Sequence, residues 1–194
     1  MRHPSCRQLY DYWNEQRGLR AAPESARIEP GAIRHVLADT FTLDVDLHAG
    51  HPFHFVGTRV DAAFGRELKT QSFVNLWRTE YRDLVRNILA VVTDESLGVV
   101  ASASAKSSEG IPLEFELLIL PLKQRGRTDN RVIGALVPRS MPDWFGVRAV
   151  GPMALGPHRY LGHHSIAAPV PSLAKTLPAG HLIHGFVVYE GGRS

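Results

Sequence analysis

The feature that most constrains this chain is the run Phe41-Thr42-Leu43-Asp44-Val45-Asp46-Leu47. Apolar and polar residues alternate there, the period of a strand with one buried and one wetted face. Ala49-Gly50 supplies a turn, and the spacing predicts a second strand over 52–56, with Phe53 and Phe55 on one face and His54 turned to solvent. Residues 58–77 read as short helical segments interrupted at Gly65. Thr79 can cap a longer helix over 79–93, whose Leu84, Val85, Ile88, Leu89 and Val92 form an apolar stripe. Three further strands are predicted at 97–106, 112–122 and 131–138. In the second, Leu113, Phe115, Leu117 and Ile119 oppose Glu114 and Glu116, and Pro121 marks an edge position or a strand end. The order β-β-α-α-α-β-β-β implies an α+β fold: a five-stranded antiparallel sheet with helices packed on one face.

Both ends of the chain differ from this middle. Cys6, Leu9, Tyr10 and Trp13 recur at spacings of three and four, which predicts a helix over 4–17 ended by Gly18. A linker broken by Pro23 and Pro30 follows, then a short helix with Ile33, Val36 and Leu37 on one face. After Pro138, six of the 13 prolines and eight of the 17 glycines fall within 56 residues, too many for a stable helix. The segment HLIHGFVVYE, 181–190, could still add a strand. The expected organisation is an N-terminal helix and linker (1–30), a central domain (31–140) and an irregular C-terminal extension (141–194).

Hydrophobic residues make up 44% of the chain, enough to bury a core. The net charge of +3 is too small for nucleic-acid binding without a concentrated basic patch, and no recognition helix is evident. Cys6 is the lone cysteine, so an intrachain disulfide is impossible. MRHPSCRQLYDYW lacks an apolar signal core, and no run approaches 18 apolar residues. The expectation is a cytoplasmic protein without a membrane span.

Three stretches carry a family resemblance: LYDYWNEQRG with the Pro-containing linker, FHFVGTRVDAAFGRELKTQSFVNLW, and IPLEFELLILPL with VIGALVP. Over residues 5–140 the chain resembles a PAS domain, in particular the small single-PAS proteins of alphaproteobacteria. Many PAS domains end their second strand in asparagine, followed by a short helix and a glycine. Gly57-Thr58-Arg59 stands in place of the asparagine here, and Phe64-Gly65 supplies the glycine step. The resemblance implies that strand 41–47 pairs with both 52–56 and 131–138. It also implies a signalling or sensor module that works through small-molecule sensing, protein–protein interaction or both, with no catalytic output of its own. The alternative is a small-molecule-binding enzyme or carrier that uses the same cavity.

Phe55, Val60, Phe64, Leu68, Phe73, Trp77, Leu84, Ile88, Phe115 and Leu117 are the residues expected to line the space between sheet and helices. In PAS domains that space can hold a small molecule; a filled core is the competing reading. Arg59, His51 and His54 are the nearest polar groups. Helix 79–93 has no histidine to ligate haem, and Cys6 lies outside the expected core, away from any flavin. The expected cofactor is therefore none, with an unidentified small molecule still open. His158, His163, His164, His181 and His184 lack the spacing of a metal signature, so no metal site is expected. Asp44 and Asp46 could form an acid–base pair but read better as carboxylates on a wet face, leaving no catalytic residue. Lys123, Arg125, Arg127 and Arg131 form a basic patch, suited to an acidic partner or simply to a solvated loop. Leu9, Tyr10, Tyr12 and Trp13 either pack on their own sheet or serve as the interface of a homodimer, which is the expectation, alongside an unidentified signalling partner.

Overall fold

Phe41 and Leu43 anchor strand β1 (Thr40–Asp44), which pairs antiparallel with β2 (Phe53–Val56) on one side and β5 (Arg131–Pro138) on the other. Strands β3 (Gly98–Lys106), β4 (Pro112–Leu122) and β6 (Ala154–Leu161) complete an antiparallel sheet in the order β2-β1-β5-β4-β3-β6. This computed structural model describes residues 1–124 and 131–162, together with the short strands β7 (Leu182–Ile183) and β8 (Phe186–Val187). The last two pair antiparallel within the segment expected to add a strand. Arg125 and Arg127 of the basic patch, and His163, His164, His181 and His184, lie outside the described residues.

The sheet has six strands, not five. The sixth, β6, comes from the segment expected to be irregular. Gly156 and Pro157 interrupt its alternation, so its pattern does not read as a strand. Among the described strands β6 lies at an edge, and its register with β3 slips between Ala101 and Ala103. Proline is tolerated at edges and bulges because the missing N–H interrupts no essential ladder bond. The chain leading into β6 also belongs to the core: Val150 and Met153 are buried, and Trp144 and Phe145 pack against the same cluster.

The helices between β2 and β3 cover one face of the sheet, as expected, and the separate N-terminal helix covers the other. On the inner face, α2 (Thr58–Phe64) and α3 (Arg82–Asp94) pack over Phe41, Leu43, Phe115, Leu117 and Ile119. On the outer face, α1 (Pro4–Arg17) and the linker pack over Leu118, Leu120, Ile133 and Ala135. Strand β4 is therefore apolar on both sides beyond Glu116, as a central strand covered on both faces must be. Gly134 is required by close approach, because a Cβ there would lie 2.4 Å from the Phe41 ring. Pro121 falls within β4 but past the last residue of its ladder with β3, Ile119, so its missing N–H costs no bond there.

Three local readings are also corrected. Strand β1 stops at Asp44, and Leu47 is 65% exposed in the following turn. Asp46 drives that break: its Oδ1 accepts the N–H groups of His48 and Ala49, a side-chain turn that competes with the ladder. Thr79 begins a 3-10 turn rather than capping α3, which starts at Arg82. Phe53 and Phe55 do not share a face, because the register slips between Thr42 and Leu43. Leu43 pairs with Phe53 and Thr42 with Phe55, leaving His54 as the extra residue of a bulge.

Candidate ligand site

Eight of the eleven expected pocket residues meet in one place. Val60, Phe64, Leu68, Phe73, Trp77, Ile88, Phe115 and Leu117 all belong to the buried inner cluster. At its centre Phe73 stacks on Phe41 at 5.5 Å and meets Phe53 and Trp77 edge-on at 5.7 and 5.8 Å. Offset stacks and edge contacts at such separations are the favoured aromatic geometries. The segments that deliver these rings are short. Gly65 ends α2 in the left-handed conformation, at φ 62°, and its N–H bonds back to Ala62 and Asp61. A 3-10 turn over Val74–Leu76 then carries Trp77 inward, where Arg78 N–H bonds Met153 C=O and Met153 N–H bonds Leu76 C=O.

The other three candidates lie elsewhere. Leu84 is 42% exposed, because it sits beyond Ile88 at the rim of the stripe formed by Val85, Ile88, Leu89 and Val92, about 100° round α3 from Val85. Phe55 is displaced to the outer face by the bulge. Arg59 points to Asp39, donating from Nε to Oδ1 at 2.6 Å and from Nη2 to Oδ2 at 2.9 Å. Asp39 is buried, and the pair holds the start of α2 to the turn before β1. This carboxylate hydrogen bond pushes the Arg59 pKa up. Gly57 precedes α2 against the Leu37 and Ala38 carbonyl oxygens, 2.3 and 2.4 Å from where a Cβ would sit. A side chain such as asparagine has no room there.

Two polar side chains are stranded in the inner half of the fold. Trp77 is fully buried, and its Nε1–H has no hydrogen-bond partner among the described residues. His51 is 1% exposed, and neither of its ring nitrogens has a partner among the described residues. Burial pushes the His51 pKa down; Asp46 opposes this and Arg86 adds to it. His51 also holds φ 57°, unusual for a residue with a side chain. Unpaired buried donors and acceptors are costly, so each calls for a water, an ion or a ligand group. Sequence reasoning named both residues but had no signal for their lack of partners.

The outer face holds the residues expected at an interface. Leu9 and Trp13 are buried against their own sheet, and the indole N–H of Trp13 donates to Pro121 C=O. Tyr10 and Tyr12 are half-buried beside them, and Tyr12 Oη accepts Glu29 N–H at 2.9 Å. Leu9 and Trp13 thus pack on their own sheet, the first of the two expected arrangements, because the outer face of β4 and β5 is too apolar to leave uncovered. Cys6 is also buried in this layer, between α1 and the sheet rather than on a free helix. Burial, reinforced by Glu116, pushes its thiol pKa well up. Glu116 itself accepts the N–H groups of Arg2 and His3 at 2.7 and 3.1 Å.

Asp44 and Asp46 each have partners of their own. Asp44 accepts from Arg131 Nε at 2.7 Å and lies 3.2 Å from His54 Nδ1. Asp46 is committed to its turn, where the Ala49 and His48 N–H groups pull its pKa down. His158 is exposed on β6, edge-on to Tyr160.

A six-stranded antiparallel sheet with α2, the 3-10 turns and α3 strung between its second and third strands is a distinctive arrangement. A family model described as PAS domain matches residues 1–137. The chain belongs to the PAS domain family. No curated protein matches it. The PAS match begins before α1, so the helix and linker on the outer face fall within the matched region. PAS domains are in general sensory modules that mediate protein interaction and bind small molecules. Among the described residues no helix is long and apolar enough to cross a membrane.

Proposed function

We propose that this PAS domain is a cytoplasmic signalling module that binds a small molecule in its inner core and reports occupancy to a protein partner, with no catalysis of its own. The observation that carries this reading is the Trp77 indole N–H, fully buried and with no partner among the described residues, in the core that α2 and α3 close over the sheet. A ligand with one hydrogen-bond acceptor would satisfy it, and the surrounding aromatic rings favour a compact, largely apolar molecule. The resemblance to small single-PAS chains of alphaproteobacteria adds support.

Strand β4 offers a route outward. Phe115 and Leu117 face the inner core, while Glu116, Leu118 and the Pro121 carbonyl hold α1 on the other face. A ligand that repacks the inner side of β4 biases the position of α1, which requires only different affinity for two arrangements. A non-catalytic role is supported by the commitment of the obvious reactive groups: the Cys6 thiol is buried and Asp44 is ion-paired.

Native mass spectrometry of protein purified from its own host tests the reading, with Trp77→Phe as the companion variant. A retained small molecule that is lost from the folded variant supports it. A wild-type chain that carries none, or a variant that retains it fully, overturns it. Chemical turnover of the released molecule by the protein would favour the enzyme reading instead.

A further inference from the structure

The linker over residues 25–37 crosses the outer face of the sheet without filling the space beneath. A groove of about 270 Å³ remains between the linker and strands β1, β2 and β5. Its floor is a cross-strand row, in which register places Thr42 between Phe55 and Ile133. Ile28, Ile33 and Leu37 wall it from the linker side. The β2 bulge creates this floor, since without the slip Phe55 would face the inner core with Phe53.

Among its described lining residues the groove carries its charge at one end. In the next row Asp44 pairs with Arg131 across the strands. Arg131 donates from Nε to Asp44 Oδ1 at 2.7 Å, and its Nη2 lies 3.1 Å from His54 Nδ1. The Arg131 side chain is 24% exposed, and its Nη1 amino group carries neither of these contacts. A guanidinium has five donors in a planar fork, so donors remain beyond these two contacts. In the apolar floor the Thr42 hydroxyl is shut off from water and has no hydrogen-bond partner among the described residues. A hydroxyl buried in this way is costly unless something bonds it.

We propose that this groove binds a small amphipathic carboxylic acid. Its apolar body lies on the Phe55–Ile133 row under the linker, and its carboxylate accepts from Arg131 Nη1 and from the Thr42 hydroxyl. The volume sits just under the range of pockets that enclose drug-sized ligands, so the acid is a short aliphatic or single-ring one. The site lies on the opposite face from the core discussed above and does not depend on that reading.

Titration of isotope-labelled full-length protein with octanoate, and with octanol as its neutral counterpart, tests this by methyl and amide resonances. Saturable shifts at Ile33 and Ile133 are expected for octanoate. Arg131→Gln should weaken octanoate about tenfold, the loss of one charge-assisted hydrogen bond, while changing octanol less than about twofold. Thr42→Val removes an unpaired hydroxyl at constant shape. It should leave the folded spectrum intact and weaken octanoate severalfold. Trp77→Phe should leave octanoate binding unchanged, which separates this site from the inner core. The proposal is overturned by shifts centred on Leu89 and Val92, by equal weakening of both probes in Arg131→Gln, by undiminished octanoate binding in Thr42→Val, or by the absence of saturable shifts at millimolar octanoate.

Discussion

The indole N–H of Trp13 donates to the carbonyl of Pro121 at 2.8 Å, joining α1 to β4 across 108 residues of sequence. Both partners are buried, so neither can turn to water if the other is removed. Trp13→Phe keeps most of the ring packing but strands the Pro121 carbonyl. It should cost about 1–3 kcal/mol, the penalty of an unsatisfied buried group. Urea unfolding of the two proteins measures this; equal midpoints would show that water reaches the carbonyl.

The inner core makes a contrasting pair. Trp77→Ala should destabilise by about 3–5 kcal/mol, since a fully buried ring leaves a cavity that close-packed neighbours cannot fill. Phe64→Ala belongs to the same class. Leu84→Ala, on the exposed flank of α3, should move stability by no more than about 0.5 kcal/mol. A large loss for Leu84 would mean that the stripe of α3 is rotated from the position described.

Arg59→Met should destabilise by about 1–3 kcal/mol. The substitution leaves the Asp39 carboxylate, 2% exposed, without its bidentate partner. The figure is below the full cost of breaking a deeply buried pair because the guanidinium is 42% exposed and screened by solvent. Double substitution with Asp39→Asn should recover part of the loss, and a double-mutant cycle reads the coupling directly. Simple additivity would show that the pair does not interact.

His51 makes stability pH-dependent. Its pKa is lowered in the folded protein from the ordinary 6.5, chiefly by burial, so the unfolded chain takes up the proton first as pH falls. The neutral imidazole therefore contributes stability that is fully present above about 6.5 and is lost as pH drops from there through the lowered folded value. His51→Asn, which tolerates the same positive φ, should flatten that part of the profile. Thermal melts between pH 7.5 and pH 5 compare the two slopes, and identical slopes would assign the dependence to another group.

Much of the fold was legible in local pattern. The helix at 4–17 has a clear three-and-four spacing, and the strands at 112–122 and 131–138 are apolar runs with clear ends, so all three have the observed bounds. Eight members of the inner cluster were expected there from the family resemblance together with the apolar stripes of α3 and β4. Where pattern failed, a long-range or side-chain effect outweighed it. Leu47 alternates like a strand residue, but Asp46 captures the backbone first. Phe55 alternates with Phe53, but a register slip against β1 turns it to the other face. Strand β6 has a proline and a glycine in its middle and forms because β3 offers it an edge.

The sequence by itself determined where α1, α3 and the first five strands lie, to within a few residues, and which residues of β4 face inward. Those properties follow from periodicity and from the drive to bury apolar area, both written in neighbouring residues. Only the tertiary structure decided that α1 packs on its own sheet, that Arg59 serves Asp39 rather than a pocket, and that Trp77, His51 and Thr42 hold buried polar atoms with no partner among the described residues. These depend on what residues distant in sequence place around each group, and a polar atom's satisfaction is a property of that surrounding rather than of its own side chain.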